Sequence, residues 1–216
     1  HILGQREFWS LPFSVSGAVL DPRPDSETLI EAVLHHCPDV ESPMSILDLG
    51  TGSGCLLLSL LRECPKATGL GVDISGEALS VAVLNADRLG VSTRGRFLRC
   101  DWGAPITGQF DIILCNPPYI CTEDMSHLEP EVLQFEPCLA LEGGEDGLHA
   151  YRRLAPEFSR LLSPTGLCVV EIGAGQRQAV TEIMGETGLT LLEVRKDLGG
   201  IDRCMVLRSH PIFTVT

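Results

Sequence analysis

An alternation constrains this chain more than any other feature. Short apolar runs of strand length are followed, again and again, by stretches of helical periodicity. Ser45–Leu49 precedes a helix from about Cys55 to Glu63, Thr68–Val72 precedes Gly76–Leu89, and Leu167–Ile172 precedes Gln176–Thr187. Further strands fall at Arg96–Cys100 and Asp111–Cys115, and a further helix at about Leu148–Leu162. Each helix returns the chain to the edge from which the last strand started, so the strands run mainly parallel. Thr190–Arg195 and Arg203–Arg208 are the exception. Asp197–Asp202 joins them directly, and they are expected to pair antiparallel. The pattern predicts an α/β, Rossmann-like, mainly parallel sheet.

The segment before the first of these strands reads differently. His1 to Val19 carries short aromatic and apolar runs broken by Pro12 and Gly17, which suggests a hairpin. Residues 1–22 are therefore taken as a hairpin and linker, and 23–216 as the main domain. Asp21-Pro22-Arg23-Pro24-Asp25-Ser26 is stiffened by its prolines, and Asp25 or Ser26 is a good N-cap for a helix through about His36. Arg23, held between two prolines, is a candidate for contact with substrate.

Strand, glycine turn and helix come together at Gly50-Thr51-Gly52-Ser53-Gly54. Glycines let backbone approach a ligand closely, and the N–H groups of the following helix face it. A dinucleotide fingerprint needs G-x-G-x-x-G, and Cys55 stands where its third glycine would be. The spacing found instead, D-L-G-T-G-S-G, resembles that of S-adenosylmethionine sites, and Asp48 before the turn strengthens the match. Asp73 ends the next strand, where an acid is placed to hold both ribose hydroxyls. The competing role for Asp73 is a helix cap. Asp101 and Trp102 follow the third strand, where the acid could accept from an adenine amine while the indole covers the ring.

The run Asp111–Cys115 stops at Asn116-Pro117-Pro118-Tyr119. Two prolines supply no backbone N–H, and Pro117 pushes Asn116 towards extended geometry. A rigid turn at the carboxyl end of a strand results, and in open α/β sheets that edge binds ligands. An Asn side-chain oxygen with a backbone carbonyl can hold both hydrogens of a planar –NH₂ group. Tyr119 could lie flat against the plane that carries it. Glu171, an acid in an apolar strand, has no role that the sequence assigns.

Composition narrows the partners. Against 16 basic side chains stand 29 acidic ones, a net charge of −13, which repels polyphosphate backbones. A basic or neutral protein surface suits this chain, and nucleic acid does not. The nine cysteines form no C-x-x-C pair, and no histidine completes a zinc pattern beside them. Unpaired thiols favour a reducing compartment, and with no signal peptide or long apolar span the chain reads as cytoplasmic. His1 is not an initiator methionine, so a longer natural chain is expected.

Taken together, I-L-G near the start, P-R-P-D-S-E, I-L-D-L-G-T-G-S-G, D-W, N-P-P-Y-I and E-P-C-L-A-L-E-G-G-E-D-G-L-H-A-Y-R-R resemble the HemK/PrmC family of release factor glutamine methyltransferases. The resemblance covers nearly the whole chain. It implies a class I S-adenosylmethionine-dependent methyltransferase fold: a seven-stranded sheet with an antiparallel last strand, preceded here by the short β-hairpin. It also implies an added N-terminal helical domain before His1. The implied activity is methyl transfer to the glutamine amide in the G-G-Q loop of class 1 peptide release factors, leaving S-adenosylhomocysteine. Carried over, the methionine end lies against Gly50, Thr51, Gly52, Ser53 and Gly54, the ribose on Asp73 and the adenine by Trp102. Asn116 lies between cofactor and substrate, and Asn116, Pro117, Pro118 and Tyr119 hold the glutamine. The family usually has an apolar residue where Asp21 stands. No metal, membrane or nucleic acid enters this reading, and a monomer is expected. An adenine or guanine amino-methyltransferase on nucleic acid shares N-P-P-Y but calls for a basic groove.

Overall fold

The computed structural model describes residues 4–209. His1, Ile2 and Leu3, the last two of which open the I-L-G stretch, lie outside them, as do residues 210–216.

Strands β1 (Gln5–Phe8) and β2 (Leu11–Ser14) form an antiparallel hairpin. Its turn is Trp9-Ser10, both at positive φ, rather than a glycine or proline turn. Pro12 lies inside β2 opposite Glu7, which an edge position in a two-stranded sheet tolerates. Phe8 and Phe13 are fully buried and meet edge to face. A 3-10 turn, Pro24–Ser26, leads into helix α1 (Glu27–His36). Ser26 stands at the cap position, but neither it nor Asp25 caps with its side chain. The Ser26 hydroxyl is drawn inward to another partner, described below.

The main sheet follows: β3 (Ser45–Leu49), α2 (Cys55–Glu63), β4 (Thr68–Asp73), α3 (Gly76–Arg88), β5 (Gly95–Arg99) and β6 (Phe110–Cys115). A short helix α4 (Pro130–Phe135) sits in the acidic stretch after Tyr119. Then come α5 (His149–Leu161), β7 (Leu162–Glu171), α6 (Arg177–Glu186), β8 (Leu189–Lys196) and β9 (Asp202–Ser209). Strand β7 begins five residues earlier than the Leu167 that its apolar run suggested, because Leu162 pairs with Phe110 across a register shift. The seven strands lie in the order β5-β4-β3-β6-β7-β9-β8. All neighbours are parallel except β9, which is antiparallel to β7 and β8.

Alternation along the strands divides the core. Ile46, Ile112, Leu114 and Val169 face α1, α2 and the hairpin, together with Phe8, Phe13 and Leu29. Leu47, Ile113, Cys115 and Val170 face α5 and α6, together with Tyr151 and Phe158. Helix α2 has six consecutive buried residues, Leu56 to Leu61, as its apolar sequence requires. No described helix is long and apolar enough to cross a membrane. The nine cysteines are free.

From β3 the chain builds outward through β4 to β5, then returns to place β6 on the other side of β3. The crevice at the carboxyl ends of β3 and β6 is the switch point of the sheet, where open α/β sheets bind ligands. Gly50 and Asn116 flank it.

Candidate active site

The glycine loop takes its shape from φ values that only glycine adopts readily. Gly50, Gly52 and Gly54 all lie in the left-handed region, at +77°, +54° and +81°. The backbone N–H groups of Gly50 and Thr51 both donate to the Val72 carbonyl, tying the loop to β4. A Cβ on Gly50 would come within 3.2 Å of the Trp102 ring, whereas one on Gly52 would meet nothing within 4 Å. Gly52 therefore borders open space. Behind the loop, the buried Asp48 accepts from the Thr51 hydroxyl at 2.7 Å through Oδ2, while Oδ1 has no partner among the described residues. Burial, with Asp73 nearby, pushes the Asp48 carboxyl up to about 7.

Asp73 joins this loop to β4. Its Oδ2 accepts from Gly52 N at 3.0 Å and its Oδ1 from Ser75 N at 2.9 Å. The cap of α3 is Ser75, whose hydroxyl accepts from Ala78 N. Asp73 is thereby spared that role. Each carboxylate oxygen can take a further donor, so two adjacent hydroxyls can bind there together. Asp101, on the next loop, is ion-paired to Arg153 at 2.7 Å. Trp102 has φ +52°, which turns its indole back over Gly50.

On the other side of the crevice stands the Asn116–Tyr119 turn. Asn116 Nδ2 donates to Ser26 Oγ at 3.2 Å, and Ser26 Oγ donates to Glu171 Oε2 at 2.5 Å. The Tyr119 hydroxyl donates to Glu171 Oε1 at 3.1 Å. Burial pushes the Glu171 carboxyl up to about 7, against the hydrogen bonds from Ser26 and Tyr119, which pull it down. Burial, with the Glu171 charge beside it, also raises the Tyr119 phenol. Gln176 fastens the far end of the turn. Its Nε2 donates to the carbonyls of Tyr119 (3.0 Å) and Gly147 (3.2 Å), while its Oε1 accepts from Gly173 N and the Tyr151 hydroxyl. The glycines of G-G-E-D-G allow this approach, since a Cβ on Gly143 would lie 2.7 Å from Tyr119 Cα.

Between the two walls lies a cavity of about 480 Å³, within the range of small-molecule sites. It brings together Gly50, Thr51, Gly52, Ser53, Asp73, Asp101, Trp102, Asn116, Pro118 and Arg23 from the residues the sequence singles out. Asp48, Gly54, Pro117 and Tyr119 stand behind its wall and do not line it.

Comparison with known proteins gives the family. Residues 40–189 match the methyltransferase domain family. The release factor glutamine methyltransferase of Caulobacter vibrioides is 46% identical over 213 residues, which cover 98% of this chain and 73% of the relative. This chain belongs to the release factor glutamine methyltransferase family. The Rhodospirillum rubrum member is 48% identical and matches 97% of this chain, which spans only 64% of that relative's length. Among solved structures, the release-factor-specific protein-(glutamine-N5) methyltransferase of Alicyclobacillus acidocaldarius superposes with a TM-score of 0.51 at 27% identity, covering 88% of this chain and 94% of that one.

Within this family member, several site residues escape sequence reasoning. Ser26 reads as a cap, yet its buried hydroxyl bridges Asn116 and Glu171. Arg23 is on the cavity wall but is held there by Glu136 at 2.5 Å. Glu136 opens the E-P-C-L-A-L-E block, to which the sequence assigns no contact with Arg23. His149, at the start of α5, also lines the cavity. One signal was available for Glu171: a carboxylate in an otherwise apolar strand needs partners.

Proposed function

We propose that the cavity takes S-adenosylmethionine, and that Asn116 presents to it the side-chain amide nitrogen of a glutamine. In this reading the glutamine belongs to the G-G-Q loop of a class 1 peptide chain release factor, and the chain acts as an S-adenosylmethionine-dependent protein-(glutamine-N5) methyltransferase. The carrying observation is that one cavity joins the glycine loop and Asp73 on one wall to Asn116 on the other. A cofactor held along Gly50–Ser53 would share this cavity with the amide of Asn116.

The residues fit such a cofactor. Asp73 has lone pairs left for two ribose hydroxyls, and the Trp102 indole offers a face for adenine. Five acids, Asp21, Asp73, Glu77, Asp101 and Glu142, line the cavity against Arg23 and Arg153, an acidic excess that suits a cationic ligand and opposes a pyrophosphate. When bound, the cofactor supplies a methyl group already activated by its sulfonium. The chain's part is then alignment rather than activation. A neutral amide nitrogen is a poor nucleophile, because its lone pair is delocalised. Asn116 Oδ1 accepts from the substrate –NH₂ and fixes the nitrogen. Tyr119 holds the end of the turn through Glu171 and Gln176. The proton leaves once the nitrogen has become cationic and acidic.

The net charge of −13 supports a neutral or basic protein surface as partner and opposes nucleic acid. A monomer in the cytoplasm completes the reading. The test is incubation with labelled S-adenosylmethionine and a class 1 release factor, beside the same factor carrying G-G-Q→G-G-A. Label is expected in the first alone. Labelling of both, or of neither, refutes the reading.

A further inference from the structure

Asn116 can serve the proposed chemistry in only one of two orientations. With Oδ1 towards the cavity it accepts from an –NH₂ group and holds a nitrogen. Turned over, it donates, holds a carbonyl oxygen instead, and offers the wrong atom for methyl transfer. The two orientations have nearly the same shape, so packing alone chooses weakly between them. Hydrogen-bond direction chooses strongly.

Above about pH 7, where Glu171 is ionised, counting hydrogens along the network settles the direction. An ionised carboxylate accepts and cannot donate, whereas a hydroxyl has one hydrogen to give. Ser26 Oγ lies 2.5 Å from Glu171 Oε2, the shortest contact of the network, and gives its hydrogen there. Tyr119 gives its hydrogen to the other oxygen. Ser26 is then left with lone pairs alone for Asn116, so Asn116 must turn its –NH₂ towards Ser26. Its Oδ1 has no hydrogen-bond partner among the described residues, and Asn116 lines the cavity. Ser26 is 2% exposed and Glu171 likewise, so water does not compete for these bonds. Arg203 backs the network: its Nη1 lies 3.5 Å from the Tyr119 hydroxyl, and Asp197 holds its other side at 3.0 Å.

We propose that Ser26 and Glu171 are positioning residues which set the direction of the Asn116 amide, so that the site accepts from a substrate nitrogen and does not donate to a substrate oxygen. The polarity starts at Glu171, passes through the single hydrogen of Ser26 and ends at Asn116 Oδ1. The inference rests on the methyltransferase reading above, but its geometry is separate from it.

The experiment uses Ser26→Ala, Ser26→Thr and Glu171→Gln at pH 8. Ser26→Ala removes the acceptor that orients Asn116, and Glu171→Gln removes the acceptor-only end of the network. Both are expected to lower single-turnover methylation of the release factor by about tenfold to a hundredfold, the scale of a misplaced reacting group. KM for the release factor and affinity for S-adenosylhomocysteine should change little in both, and Tm should change little in Ser26→Ala. Ser26→Thr keeps the hydroxyl and should return to within about threefold of wild type. A second readout needs no turnover. The side-chain –NH₂ signals of Asn116 in an isotope-labelled NMR spectrum, assigned by their loss in Asn116→Ala, should shift in Ser26→Ala and Glu171→Gln and return in Ser26→Thr. Unmoved Asn116 signals overturn the inference whether or not the wild type methylates. So does a loss of rate that Ser26→Thr fails to restore. An inactive wild type whose Asn116 signals move as expected refutes the methyltransferase reading and leaves the orientation standing.

Discussion

Gly147→Ala should damage the site out of proportion to the methyl group it adds. Gly147 has φ +70°, and a Cβ there would lie 2.4 Å from the Tyr119 carbonyl oxygen and 2.7 Å from Gln176 Nε2. The left-handed backbone alone costs an alanine about 1 kcal/mol. The contact with Tyr119 is about 1 Å too short for ordinary packing. Its partner is backbone, so no rotamer change relieves it. Either the Tyr119 carbonyl or the G-G-E-D-G loop must move, and Gln176 bonds both. Losing the Gln176 bonds leaves buried polar groups unmatched, at about 1–3 kcal/mol. The sum is about 2–4 kcal/mol. Gly188→Ala is the control: its φ is +83°, but nothing lies within 4 Å of the added carbon, so only the backbone term of about 1 kcal/mol applies. Urea unfolding of the two variants isolates the steric part. Methylation by Gly147→Ala should also fall about a hundredfold, since a shift of this size reaches the Asn116–Tyr119 turn. Equal destabilisation by the two substitutions would refute the reasoning.

Three further outcomes are expected. Asn116→Ala should lower methylation by about 10²–10³, the scale for one preorganised polar contact, with Tm unchanged; wild-type turnover in that variant would reduce Asn116 to a turn residue. S-adenosylhomocysteine at 100 times its Kd should stabilise the protein by about 2.7 kcal/mol, with Asp73→Ala losing most of that shift, and a shift with NAD alone would contradict the proposed cofactor. The third concerns pH. Glu171, faced by Asp25, Arg203, Ser26 and Tyr119, holds its proton up to about 7, above the ordinary 4.5 of an unfolded glutamate. The folded state therefore binds the proton more tightly, and stability from this group is full below about 4.5 and is lost as pH rises towards about 7. Relative to wild type, Glu171→Gln should gain stability between pH 5 and 8, on the order of 3 kcal/mol. A difference in urea midpoint that does not vary with pH would count against it.

Local signals carried most of the fold. The central parallel strands β3 and β6 show as apolar runs, and the glycine loop and the N-P-P-Y turn stand where the sheet order reverses. What stayed hidden depends on distance along the chain. Ser26 and Glu171 are 145 residues apart, and only the crossing of α1 behind β7 brings them together. A serine before an acidic helix start reads as a cap, and nothing local reveals that its hydroxyl points elsewhere. The hairpin was legible but its turn was not, for the opposite reason: Trp9-Ser10 takes positive φ without glycine. There Trp9 N bonds Glu27 and Trp9 Nε1 bonds Glu63, so tertiary contacts hold what propensity disfavours. The start of β7 was missed because Ser163-Pro164-Thr165-Gly166 looks like a turn.

Asn85 gives the hairpin a thermodynamic stake in the cavity. This buried amide accepts from Ser14 N at 2.8 Å and donates to Ser14 O at 3.0 Å, and its Nδ2 also donates to Ser53 O at 2.9 Å. One side chain on α3 thus grips the last residue of β2 and the glycine loop together. Undocking β2 would free Asn85 and loosen its hold on Ser53, and disorder at Ser53 would weaken the seat of β2. Linkage is reciprocal: whatever orders the glycine loop from the cavity side disfavours the open hairpin by the same coupling free energy. The amides of β2 then act as a remote gauge of cavity occupancy, readable by hydrogen exchange although none of them touches the ligand.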